Sequence, residues 1–148
     1  MHPFDLKAAI LAKHAQHVVL IHFPLALFIA GVAFDYLAHL TGKAVLASVA
    51  YYNFLVAAAS SIPAVATGLL AWQWQLDGRR LHGILLMHLV LGATSAILMW
   101  LVWSLHFRVV RSGRPLPAYR LPVEALAVMI VALTGHLGGF LSGVNVPG

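Results

Sequence analysis

The sequence predicts an all-α integral membrane protein, a four-helix bundle of up-down topology, and three observations carry that prediction. Hydrophobic residues make up 61% of the 148 positions and charged residues 9%, against roughly 25% charged in soluble domains. Four charge-free runs, 14–34, 44–76, 81–107 and 125–148, are each long enough at ~1.5 Å per residue to cross a hydrocarbon core of ~30 Å. The segments between those runs carry glycine, proline and charge, the chemistry of turns. A soluble fold of this length cannot hide so much apolar surface, and the length suits a single domain covering 1–148. The expected spans are about 15–38, 46–74, 81–107 and 122–143.

Residues 1–13 (MHPFDLKAAILAK) read as an interfacial lead-in, with Asp5 capping a helical turn and Lys7 and Lys13 among headgroups. The run that follows is longer than a signal-peptide core and lacks a cleavage site, which argues against a cleavable signal. The second run is too long for one straight span and too short for two, so its ends protrude and Pro63 bends it. HLTGK at 39–43 and DGRR at 77–80 supply tight turns, and Pro115, Pro117 and Pro122 open the loop over 108–122. Up-down threading then puts Tyr36, Tyr51, Tyr52, Trp100, Trp103 and Tyr119 towards one membrane surface, and Trp72 and Trp74 towards the surface of both termini. Basic residues divide almost evenly between the two sides. The dense Arg108–Arg120 loop favours termini outside the cytoplasm, and the composition suits a multi-pass protein of a bacterial inner membrane.

Several function classes are excluded. With no cysteine, disulfides, iron–sulfur clusters and covalently attached haem are ruled out. The net charge of +5 sits between apolar runs, where it anchors the chain to the lipid bilayer and does not point to nucleic acid. Glycine fingerprints for nucleotides, zinc-protease signatures and nucleophile triads are missing from the sequence. A non-catalytic or accessory subunit fits better than an autonomous enzyme, because minimal loops leave little surface outside the membrane.

The histidines carry the chemistry. Ionisable side chains at hydrocarbon depth are costly, so they face protein and find partners. His22 in the first run and His88 in the third lie ~10 Å below the termini-side surface by helical rise, and His136 approaches the same level from the fourth run. His17 and His82 fall nearer that surface, whereas His39 and His106 belong to the opposite one. His17 and His22 are ~140° apart around a helix, and His82 and His88 about 120° apart, so one member of each pair points inward. Depth selects His22 and His88. Gly68, Gly83, Gly92, Gly135, Gly138 and Gly139 lie near this level and make room for a flat group, or simply for tight helix packing. Pro24 frees the Leu20 carbonyl beside His22, and Thr67 can satisfy a ring nitrogen.

Imidazoles on facing helices are a ligand set for b-type haem. The expected axial pair is His22 and His88, with His17, His82, His136, Thr67 and Gly68 around the cofactor and Arg79 and Arg80 pairing its propionates. Such a subunit would pass electrons within a larger membrane redox complex, to or from a c-type cytochrome, a Rieske protein or a quinone. Two alternatives stay open: an assembly subunit whose histidines only hydrogen-bond between helices, and a subunit ligating bacteriochlorophyll magnesium. Metal or proton transport ranks last, because Asp35, Asp77 and Glu124 all fall near span ends and leave no carboxylate at depth.

His17 to Leu27 (HVVLIHFPLAL), Thr67-Gly68, His88 after a basic pair, and the close Gly135 to Val144 (GHLGGFLSGV) resemble a family of predicted four-helix membrane proteins, domain of unknown function 2231. The resemblance covers most of the chain. Members look redox-associated, some being fused to Rieske-type domains, which implies haem-linked electron transfer and, by position, His22 and His88 as the site. The chain departs from the family's closing motif at Phe140, where a polar residue often follows the glycine pair, and that weakens the assignment of His136.

Overall fold

A computed structural model describes residues 15–75, 78 and 80–142, and the structural statements below concern these. It contains four helices: α1 (Ala15–Thr41), α2 (Ala44–Gln75), α3 (Gly83–Ser112) and α4 (Arg120–Leu141). Each is long and apolar enough to cross a membrane. Gly42 closes α1 in the left-handed region (φ 68°), its N–H donating to the Ala38 carbonyl at 2.8 Å, so α2 follows at once in the reverse direction. Gly113 (φ 65°) ends α3 in the same way. Each helix packs against its chain neighbours, and α1 against α4 closes the ring. The result is an antiparallel, all-α up-down bundle with α1 and α3 on opposite corners.

One pattern positions every functional side chain. Residues facing the bundle axis recur at alternating steps of three and four, the period-seven packing of four-helix bundles. In α1 this stripe runs His17, Ile21, Pro24, Phe28, Gly31, Asp35; in α2, Ala50, Phe54, Ala57, Ser61, Ala64, Gly68. In α3 it runs His88, Gly92, Ser95, Met99, Val102, His106; in α4, Arg120, Glu124, Ala127, Val131, Thr134, Gly138. The opposite faces are apolar too and turn outward, with Val19, Phe23, Ile97, Leu101 and Met129 each more than half exposed. A water-soluble protein buries such residues, while a bilayer solvates them.

Along the axis the bundle has three levels. A dry middle holds Phe28, Val32, Phe54, Ala57, Ala58, Met99, Val102, Ala127 and Val131. Phe28 and Phe54 meet there at 5.6 Å between ring centroids, and Gly31 lets Phe54 approach so closely that a Cβ would sit 2.8 Å from its ring. Towards the termini the helices part around a cavity. Towards the long loop they close on charged side chains. Pro24 and Pro63 both lie inside helices that continue past them.

α1 and α3 run beyond the charge-free runs, and α4 begins before its own, so Asp35 and Glu124 fall within helices, near their ends. Both are fully buried between helices, which position along the sequence does not reveal.

Candidate functional site

The cavity occupies about 430 Å³ at the termini end, within the ~300–1,000 Å³ typical of ligand sites. Its walls come from all four helices and are mostly apolar, with the imidazoles of His17 and His22 from α1 and His88 from α3 among the lining residues. His17 and His88 are half-buried.

Each imidazole is held through Nδ1. His88 Nδ1 lies 3.1 Å from the carbonyl of Thr134 on α4. A carbonyl only accepts, so Nδ1 carries the proton and, in the neutral ring, Nε2 keeps a bare lone pair. His17 Nδ1 lies 3.2 Å from Thr67 Oγ1 on α2. That hydroxyl also lies 2.9 and 3.0 Å from the Pro63 and Ala64 carbonyls, either of which can take its one proton and leave its oxygen to accept from His17 Nδ1. In that arrangement the neutral His17 ring carries its lone pair on Nε2.

A glycine seats each ring. A Cβ on Gly68 would come within 2.9 Å of His17 Cε1, and one on Gly138 within 3.1 Å of His88 Cε1. The hairpin α1–α2 thus presents His17 over Thr67-Gly68, and the hairpin α3–α4 presents His88 over Thr134 and Gly138. Gly92, Gly135 and Gly139 also line the cavity.

Other expected site residues fall elsewhere. His22, expected to pair inward with His88, is exposed at the cavity's edge, its Nδ1 donating to the Val18 carbonyl of its own helix at 2.6 Å. His17 takes the inward position because it shares the seven-residue register of Pro24 and Gly31, and His22 does not. His136 is exposed, edge-on to Phe140 at 4.9 Å, and does not line the cavity, so the expected convergence of three helices reduces to two. His82 precedes α3 as an exposed residue whose side chain makes no capping bond. Gly83 begins α3 with φ 57°, where it serves the turn. Arg80 is exposed, and Arg79 lies outside the described residues.

A second polar group, missed from the sequence, closes the other end. Arg120 Nε donates to Asp35 Oδ2 at 2.7 Å, and His106 Nε2 lies 2.9 Å from Glu124 Oε1. All four residues are buried, with Asp35 and Glu124 at 0% exposure. His106, at the opposite end from the cavity as expected, is 2% exposed and packs on Phe54 at 4.8 Å between ring centroids. Arg120, within the 108–122 stretch expected to be loop, is the first residue of α4. The available signal was register: Asp35 falls seven positions after Phe28, and His106 seven after Met99.

Fold and site together define an integral membrane four-helix protein with histidines lining an apolar cavity between its helices. The chain belongs to the predicted membrane protein family DUF2231, whose profile matches residues 13–145. No curated protein and no solved structure matches it.

Proposed function

We propose that this protein is a b-type haem-binding membrane subunit for electron transfer, with His17 and His88 as the axial pair. One observation carries the reading: imidazoles from opposite corners of the bundle, each hydrogen-bonded through Nδ1, line one apolar cavity. Hydrogen bonding at Nδ1 is how metal-bound histidines are usually oriented. The glycines at 68 and 138 give each imidazole a seat against the neighbouring helix. Haem would supply one-electron exchange between ferric and ferrous iron. The chain fixes ring tautomers through Thr67 and Thr134, keeps the walls apolar, and places exposed Arg80 at the same end for propionates.

Short connections leave little surface for a substrate, which favours a subunit of a larger membrane redox complex. A c-type cytochrome, a Rieske protein or a quinone would exchange electrons on the termini side, and a bacterial inner membrane is the location that suits such a partner.

The reading without a cofactor is favoured by the same hydrogen bonds, since His17–Thr67 ties α1 to α2 and His88–Thr134 ties α3 to α4. Reduced-minus-oxidised absorbance of the detergent-purified protein separates the two. Haem bands that vanish in His17→Leu and His88→Leu and persist in His22→Leu and His136→Leu support the proposal. A folded protein without pigment overturns it, and a long-wavelength band would assign the site to a magnesium tetrapyrrole.

A further inference from the structure

At the opposite end of the bundle from the cavity, we infer that Asp35, His106 and Glu124 form a binding site for a divalent transition-metal ion, with Arg120 positioning Asp35. The inference is independent of the haem reading, because His17 and Asp35 are roughly 27 Å apart along α1 by helical rise.

Three helices bring the donors together: Asp35 from α1, His106 from α3 and Glu124 from α4, with ligand atoms all within 4.8 Å of one another. Neighbouring donors ~2.1 Å from a common tetrahedral ion lie about 3.4 Å apart, so the widest pair would close by up to about 1.4 Å on binding. His106 Nε2 and Glu124 Oε1, at 2.9 Å, already have the spacing of neighbouring ligands. One imidazole with two carboxylates suits zinc, iron(II) or manganese(II).

The second observation concerns what these carboxylates lack. Among the described residues, three buried side-chain polar atoms have no hydrogen-bond partner, and two are Asp35 Oδ1 and Glu124 Oε2. Both are acceptors in residues at 0% exposure, where an unsatisfied charged oxygen is strongly disfavoured. A cation held among the three residues would give these oxygens a partner.

The surroundings fit a ligand shell. Arg120 Nε holds Asp35 Oδ2, which leaves Oδ1 for the ion, the arrangement by which outer hydrogen bonds orient a ligating carboxylate. Phe54 against the His106 ring limits water on that side.

Cobalt(II) titration tests this on full-length protein purified without a histidine tag, stripped with chelator and held in detergent. The expected result is visible d–d absorption saturating at one ion per chain, a raised thermal midpoint, and displacement by zinc. His106→Leu should abolish the bands, and Glu124→Gln should weaken binding at least tenfold. The bands should be unchanged in His39→Asn/His136→Asn and in His88→Leu. If His106→Leu fails to fold, the wild-type titration still decides. Absence of bands and of any thermal shift overturns the site, as do bands that survive His106→Leu or disappear when His39 and His136 are replaced.

Discussion

Arg120 at the start of α4 donates its Nε–H to Asp35 of α1 at 2.7 Å, and both side chains are almost wholly shut away from solvent. This bond ties the last helix to the first at the loop end of the bundle. Tyr36, the next residue of α1, donates to the Leu121 carbonyl at 2.6 Å, so two consecutive residues of each helix form the latch. A buried pair contributes little net stability, yet removing one partner strands the other charge.

Asp35→Leu and Arg120→Leu should therefore each destabilise the bundle by about 3–5 kcal/mol, and the double replacement should recover most of that loss. Thermal unfolding of the four proteins in one detergent checks the cycle. Additive losses in the double variant would show that the two charges act independently.

Replacing Gly68 by Ala pushes a methyl to 2.9 Å from His17 Cε1, and Gly138→Ala pushes one to 3.1 Å from His88 Cε1. Each should displace its imidazole and lower stability by about 1–3 kcal/mol, as overpacking does. Gly92→Ala is the control, since its nearest neighbour is Thr134 Cγ2 at 3.8 Å, an ordinary contact. Equal effects at all three sites would deny the rings their glycine seats.

The two histidines differ in what fixes them, and that predicts an asymmetry. Thr67→Val removes the Oγ1 that receives His17 Nδ1–H, whereas Thr134→Val leaves the backbone carbonyl that receives His88. Nitrogen-15 NMR of labelled histidine should show a changed tautomer balance at His17 in the first variant and none at His88 in the second. Thr134→Val should still weaken the bundle by about 1–2 kcal/mol. Its hydroxyl proton goes to the Ile130 carbonyl at 2.8 Å, so Ser95, 3.0 Å away, is the donor that loses its acceptor.

Gly31→Val should separate α1 from α2, because even a Cβ at this position would lie 2.8 Å from the Phe54 ring. The expected loss is about 1–3 kcal/mol, with partial rescue by Phe54→Leu. Denaturation midpoints of the single and double variants measure it.

Composition and run length made the helices and their order legible, because crossing a hydrocarbon core demands a minimum apolar length whatever the packing. The histidine level was legible for a similar reason: depth is position along the chain multiplied by helical rise. Which histidine turns inward was harder. Ranking His22 over His17 by depth ignored the register set by Pro24, Phe28, Gly31 and Asp35, a stripe that includes 17 and passes over 22. Asp35 and Glu124 were hidden for another reason, since a charge at a span end looks the same in sequence whether solvated or paired.

The amino-acid order by itself determined four membrane-crossing helices, their antiparallel succession and an imidazole-bearing level near the termini, all consequences of hydropathy summed along a line. Only the tertiary structure decided that His17 faces His88 across a cavity and that Asp35, His106, Arg120 and Glu124 gather at the other end. Those meetings depend on how each helix is rotated about its own axis. In lipid, rotation is selected by close packing of small residues and by the need of buried polar atoms for partners on other helices.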